Sequence, residues 1–374
     1  MHIDSIDLYC LGLPYRSPRS TAVGPLPRLE TVLVAMHGDG ATGWGEACPG
    51  VAPQKGPEWT AGVFSLLRDW LAPAVVDRTV SSGDELTALL GSFHGNRWAK
   101  SAIDAAWWDL EARRQNRPLH QLLGGRRDAI EVGPTFDRMD SIDEFLEQLD
   151  AAVAEGFDRI KLKFRPGWDL QVVDLARKQC PTQSLHVDCE GGLHLGHQDM
   201  LFRLEDFMLS SIEQPLPADD LVGHAMVQES LRTPIVLDES ITTLAQAEMA
   251  LELDSCRGVN LKPGRVGGLT AASAICELCH ERCTPCYVGG EPQSAIGNRI
   301  AMALASKDGC CWPADFFPSD RELVEDVAEP PLPIRDPSDG RPRIRLSSAP
   351  GIGVEPDPKR LDEFCLTRTT VRPV

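Results

Sequence analysis

Several absences narrow what this 374-residue chain can be. It has no apolar run near the roughly 18 residues that a membrane-spanning helix needs, which argues against a membrane protein. Its start, Met1-His-Ile-Asp-Ser-Ile-Asp-Leu8, has neither the basic patch nor the apolar stretch of a secretion signal, so a cytoplasmic location is expected. Positive charge is scarce: 37 Lys and Arg stand against 55 Asp and Glu, and the net charge of −18 repels nucleic acid and anionic membranes. An acidic small molecule must therefore be drawn by a local cationic site. Gly264-Arg-Val-Gly-Gly268 lacks the Walker spacing and its Lys-Ser/Thr ending, and reads as a tight turn. No Gly-x-Ser-x-Gly elbow is present, so serine hydrolysis has no support.

The content that remains is globular, with 25% charged and 42% hydrophobic residues. The length suits a barrel of about 200 to 250 residues with a second, smaller domain. Twelve cysteines at irregular positions read as reduced thiols, most of them small apolar packing residues. Cys276-Glu-Leu-Cys-His-Glu-Arg-Cys-Thr-Pro-Cys286 has the look of a zinc or cluster motif. Its i, i+3, i+7 spacing predicts instead that Cys276, Cys279 and Cys283 share one buried helix face. Trp107-Trp108 is expected to be core packing in an apolar helix.

Residues 1–125 begin with strand-like stretches, Ile3 to Leu11 and Glu30 to Met36, separated by a loop from Pro14 to Pro25. Helix-compatible spacing follows at Glu58 to Leu71 and Trp98 to Arg113, which together predict an α+β domain. From 126 to 328, strand and helix alternate as a parallel barrel requires. Strands are expected near Ile130 to Thr135, Arg159 to Phe164, Leu185 to Asp188, Ser211 to Glu213, Ile235 to Asp238, Val259 to Lys262, Cys286 to Gly290 and Cys310 to Asp315. The proline-rich segment 329–374 is expected to return to the first domain.

Five chargeable residues punctuate these strands at nearly equal intervals. Lys163, Asp188, Glu213, Asp238 and Lys262 are separated by 25, 25, 25 and 24 residues, about one βα unit each. Strand alternation turns Ile160, Leu162, Val187, Ile212, Leu237 and Leu261 out toward helices, and turns Lys161, Lys163, Asp188, Glu213, Asp238 and Lys262 inward to one barrel mouth. Three carboxylates without histidine or cysteine form an all-oxygen set suited to Mg²⁺, with Mn²⁺ as the alternative. A metal ion and the second ammonium of Lys161 both disfavour charge on Lys163, which predicts a usable base. Lys262 approaches from the opposite side. Removing a proton next to a carboxylate creates a dianionic enediolate, which needs the cations that such a site supplies. Helix caps for the acids and salt bridges for the lysines are the competing structural readings.

At this point a family resemblance emerges. Lys161-Leu-Lys163 with Pro166-Gly-Trp-Asp169, Asp188, Ile212-Glu-Gln-Pro-Leu216, Thr233-Pro-Ile-Val-Leu-Asp-Glu-Ser240 and Asn260-Leu-Lys-Pro-Gly-Arg-Val-Gly-Gly268 resemble the muconate-lactonizing branch of the enolase superfamily. Gly43-Trp-Gly-Glu46 and Pro118-Leu-His-Gln-Leu-Leu-Gly-Gly125 extend the likeness over nearly the whole chain, and Asp315-Phe-Phe-Pro-Ser-Asp-Arg321 with Glu325-Asp326 resembles the o-succinylbenzoate synthases and N-succinylamino acid racemases in particular. The resemblance implies a (β/α)7β TIM-like barrel under an N-terminal capping domain completed by the C-terminal tail. It also implies Mg²⁺ on Asp188, Glu213 and Asp238, Lys163 and Lys262 as the catalytic pair, and electrostatic help from Lys161. In the synthase one lysine removes the proton and water leaves; in the racemase the two lysines exchange roles.

By the same resemblance the Pro14–Pro25 loop is a lid, with Cys48 to Pro57 as its partner, and the substrate is a small carboxylate. A homo-oligomer is expected by analogy only. Glu239 is expected to support Lys262 from behind. Two departures bear on the substrate. Asp188 is followed by Cys189 and Glu190, bringing an extra acid where the family has asparagine. The seventh-strand motif is Gly289-Gly-Glu-Pro-Gln-Ser-Ala295, with Asn298 in place of the usual arginine. Glu291, Gln293, Ser294, Asn298, Arg16 and Arg19 are the expected substrate contacts.

Overall fold

A computed structural model of the chain describes residues 1–21, 24–54, 56–139, 141–336 and 338–373. Strands β1 (Ser5–Thr21), β2 (Gly24–Gly38) and β3 (Ala41–Ala47) form an antiparallel sheet, and β14 (Cys365–Val371) adds the outer strand beside β1. Alternation along β2 divides its side chains between two cores. Val32, Val34 and Met36 pack with helix residues such as Ala102, Ile103 and Leu110. Leu33 and Ala35 face the barrel's core.

Helices α1 (Thr60–Leu66), α2 (Gly83–Leu89) and α3 (Arg97–Arg114) cover the outer face. Helix α3 rides directly on β3, because Gly43 and Gly45 present bare backbone to it; a Cβ at either would collide with the carbonyls of Ala106 or Ala102.

The second unit alternates as expected. Strands β4 (Ala129–Gly133) and β5 (Thr135–Phe136) flank Pro134. They are followed by β6 (Arg159–Lys163), β7 (Ser184–Asp188), β8 (Ser211–Glu213), β9 (Ile235–Leu237), β10 (Gly258–Leu261) and β11 (Cys286–Val288). β5 to β11 form one parallel ladder in chain order. β12 (Ala314–Asp315) pairs parallel to β4 and returns the last strand to the first. Helices α4 (Ile142–Glu155), α5 (Leu170–Gln179), α6 (Gln198–Leu204), α7 (Leu221–Ser230), α8 (Leu244–Glu252), α9 (Leu269–Glu281) and α10 (Ala295–Ala305) fill the crossovers. The architecture is a TIM-like barrel with an N-terminal capping domain. Among the described residues no helix is long and apolar enough to cross a membrane.

One segment differs from expectation. The stretch from Pro14 to Pro25 is not an open loop: β1 and β2 continue as a hairpin, with Pro14 opposite Arg28 and Arg19 opposite Leu26. Its prolines are tolerated because the β14 pairing of β1 ends at Leu11, so the hairpin's outer edges need no further donors. Ala22 and Val23 at the tip, and Lys55 in the partner loop, lie outside the described residues. The proline-rich tail packs on both domains: β14 joins the capping sheet and Glu355 and Val354 accept bonds from Trp44 (2.7 Å) and Arg113 (2.7 Å) of the first domain, while β13 (Arg343–Arg345) pairs antiparallel with β4 of the barrel.

Candidate active site

Register alone sets the first residues side by side. Lys163 at the end of β6 lies beside Asp188, which lies beside Glu213 at the end of β8. Asp238 follows β9, and Lys262 follows β10. Both Lys161 and the three acids are nearly inaccessible to solvent. The Lys161 ammonium bonds Asp188 (3.0 Å), Glu213 (2.8 Å) and Asp315 (2.9 Å). Lys163 bonds Asp188 (2.8 Å) and Glu190 (2.7 Å); across the mouth Lys262 bonds Asp238 (2.9 Å) and Glu291 (3.2 Å). The two lysines thus flank one row of carboxylates, each anchored at a different end of it.

Burial alone would lift the carboxyls of Asp188 and Asp238 and depress the amines. The mutual charges outweigh it. Lys161 and Lys163 hold Asp188 well below the usual carboxylate range, and Arg265 and Lys262 do the same to Asp238. Burial lowers Lys163 and Lys262, but Asp188 and Asp238 raise them further, and both stay strongly protonated. The Lys161 ammonium lowers Lys163 as expected, but the expected base also called for a metal ion, and the ammonium by itself does not free the amine. The carboxylates between the ammoniums dominate, and their charge must be taken up by another cation before an amine is freed.

Other expected residues are placed differently. Glu239 does not bond Lys262: its Oε2 is buried with no hydrogen-bond partner among the described residues, and burial together with the Asp238 charge lifts its carboxyl to about 7. The second acid on Lys262 is Glu291. Glu190, in the left-handed region at φ 46°, spans Lys163 and Arg165. Ser294 is fully buried and does not line the mouth. Its Oγ caps α10 and bonds Glu46 (2.5 Å), fastening the capping sheet to the barrel. Asn298 donates to the Phe317 carbonyl (3.2 Å) and takes a 3.5 Å bond from Gln293. Arg16 donates to the Asp320 carbonyl (3.0 Å). Arg19 lies over Tyr15 and Phe317, and any Cβ on Gly290 would strike the Phe317 ring. The hairpin therefore docks on the segment after β12, beside the end of β11, but neither arginine bonds the lysine–carboxylate row among the described residues.

Reasoning from strand ends missed the layer beneath. Arg159, His186, Asn260 and Tyr287 sit two residues before Lys161, Asp188, Lys262 and Gly289, on the same inward alternation. Asn260 donates to Glu213 (2.8 Å), the Tyr287 hydroxyl bonds the same carboxylate, and Arg159 pairs with Asp315 and contacts His186 (3.1 Å). Burial and Arg159 hold the His186 imidazole below its usual pKa, so it stands neutral beside Glu213. Continuing the period of two backward along each strand would have found them. Arg265, which bonds Asp238 from the turn after β10, carried no such signal.

The acid set can be tested against a divalent cation. All three side chains offer only oxygen, and the buried Oδ1 of Asn260 beside them has no partner among the described residues. Hard oxygen donors of this kind fit Mg²⁺ or Mn²⁺ and fit a thiophilic metal poorly. With ammoniums as their counterions, the three carboxylates do not draw one oxygen each to within 4.8 Å of one another.

Comparison with known proteins agrees with this geometry. Residues 5–124 match the model of the mandelate racemase / muconate lactonizing enzyme N-terminal domain, and residues 144–360 match the enolase C-terminal domain-like model. An o-succinylbenzoate synthase of Geobacillus stearothermophilus is 35% identical over 97% of this chain and 96% of its own length. An N-succinylamino acid racemase of Amycolatopsis sp is 34% identical over 99% and 100%. A solved enolase-superfamily structure from Listeria innocua superposes with a TM-score of 0.94 at 29% identity, covering 100% of this chain and 99% of that one. With both of its parts matched to that family's models, and with full-length relatives above 30% identity, the chain belongs to the enolase superfamily, in its mandelate racemase and muconate lactonizing enzyme family.

Proposed function

We propose that this enzyme abstracts the proton next to a substrate carboxylate, and that its reaction is dehydration of the o-succinylbenzoate synthase type. Membership of the superfamily implies a divalent metal, and we take it to be Mg²⁺ held by Asp188, Glu213 and Asp238. When bound, it supplies positive charge to the oxygens of the substrate carboxylate as the enediolate develops. The observation that carries the reading is the pair of half-buried lysines at opposite ends of a buried three-carboxylate row.

Lys163 Nζ takes the α-proton as the neutral amine, after its ammonium has given up its tie to Asp188 and released one proton to solvent. Lys262 remains an ammonium on Asp238 and Glu291 and stabilises the anion from the far side. Lys161, locked among Asp188, Glu213 and Asp315, ties these carboxylates together and keeps the row in register. The C–O bond on the neighbouring ring carbon then breaks, the Lys163 ammonium returns the abstracted proton to the departing hydroxide, and water leaves with the aromatic product.

The test is to incubate the folded, Mg²⁺-loaded protein with the hydroxycyclohexadiene carboxylate precursor and measure o-succinylbenzoate. Turnover is expected, and none at all would overturn the dehydration. The symmetric placement of two lysines favours one alternative, an N-succinylamino acid racemase. Deuterium uptake at the α-carbon from both enantiomers of N-succinyl amino acids would support it.

A further inference from the structure

A second cluster lies away from the mouth. Cys276 comes from α9, Cys286 opens β11, and Cys310 lies in the turn before β12. Though 10, 24 and 34 residues apart in sequence, their sulfurs meet in a triangle of 3.6 Å (Cys276–Cys310), 3.9 Å (Cys276–Cys286) and 3.9 Å (Cys286–Cys310). All three residues are at most 1% exposed. Among the described residues they are the group of histidines, cysteines or acids whose ligand atoms come within 4.8 Å of one another. Zinc–sulfur bonds of about 2.3 Å in a tetrahedron put sulfurs about 3.8 Å apart, so the triangle already has the dimensions of one face of such a site.

The surroundings preserve that shape. Gly309 passes so close that a Cβ there would sit 2.7 Å from the Cys276 sulfur. Cys286 also bonds the Gly309 carbonyl (3.0 Å), and the buried Cys279 thiol reaches Cys286. The sequence expectation of one buried face on Cys276, Cys279 and Cys283 is thereby corrected. Cys283 ends in the left-handed turn after α9 and is exposed, while Cys310, invisible in the motif, takes its place.

We propose that Cys276, Cys286 and Cys310 form a structural site for a thiophilic divalent cation, zinc foremost. The thiols lie at the start of β11, the end of the barrel opposite the lysines, where residues govern stability and not chemistry. Binding replaces thiol protons with metal–sulfur bonds and clamps α9, β11 and the turn after α10 together. Soft sulfur and hard oxygen keep the two sites distinct in the cations they take.

The test uses the full reduced chain with exposed Cys283 and Cys311 replaced by serine and with excess Mg²⁺ present. Cadmium is titrated in, and the ultraviolet thiolate-to-metal charge-transfer band is followed, with bound cadmium counted by elemental analysis. One cadmium per chain with a saturating band is expected, along with a rise in thermal midpoint and loss of the band in Cys276→Ala and Cys310→Ala. Absence of the band from the folded protein with the triad intact would overturn the site without reference to any triad variant. So would a band that survives both alanine replacements, or spontaneous pairing of two of these thiols as a disulfide that leaves no cation bound.

Discussion

Lys161 shows how much of this site is decided by single charges. It is buried among Asp188, Glu213 and Asp315, and removing one member of a buried ion-pair network typically costs about 3–5 kcal/mol because the remaining charges lose their compensation. Lys161→Met should therefore lower the unfolding free energy of the metal-free protein, measured by urea titration, by that order, and added Mg²⁺ should restore part of it. Lys163→Ala and Lys262→Ala carry a different expectation. Both amines are partly reachable at the mouth, and their loss should leave the thermal midpoint near wild type while α-proton exchange falls about 10²–10⁴-fold. Isotope exchange followed by NMR checks this, and full exchange in both variants would remove the lysines from the mechanism.

Between elements, the junction of α3 with its neighbours sets the attachment of cap to barrel. Asp104 on α3 accepts from the Thr270 backbone N–H (3.1 Å) and hydroxyl at the start of α9. Burial raises its carboxyl to about 6, and those hydrogen bonds offset only part of the rise. The folded protein thus holds this proton more tightly than the unfolded chain, whose carboxyl has the ordinary value of 3.8. The resulting stabilisation is complete below that value and is lost as pH rises through about 6, and it amounts to on the order of 3 kcal/mol. Asp104→Asn should abolish this slope, as urea unfolding at a series of pH values between 4 and 7 would record. On the other side of α3, Gly45→Ala pushes a methyl group into the Ala102 carbonyl, and a loss of about 1–3 kcal/mol in the same assay is expected.

The whole molecule combines a cap, a barrel and a tail that serves both, since β13 extends the barrel sheet and β14 the capping sheet. A cation that binds only the folded state stabilises it by about 2.7 kcal/mol at one hundred times its dissociation constant. Mg²⁺ should accordingly raise the thermal midpoint in proportion to the logarithm of its concentration, and a chelator should reverse the effect. A midpoint indifferent to Mg²⁺ and Mn²⁺ would contradict the carboxylate row as a cation site.

Strand alternation and the near-constant interval of 25 residues were enough to locate Lys163, Asp188, Glu213, Asp238 and Lys262. Both are local regularities of a chain laid down one βα unit at a time, so they are written in order along it. The (β/α) alternation and the helix Arg97–Arg114 were legible for the same reason. The hairpin beyond Leu11 was not, because prolines mark a break only where a neighbouring strand demands their missing donors. Glu291 on Lys262, Arg265 on Asp238, Ser294 on Glu46 and Cys310 beside Cys276 join positions whose separation has no period. Only closure of the barrel and seating of the cap bring them together, and with them comes the balance of charge that keeps both lysines protonated. Sequence determined which groups point to the mouth; tertiary structure decided which of them touch, because electrostatic energy depends on distance in space and not on distance along the chain.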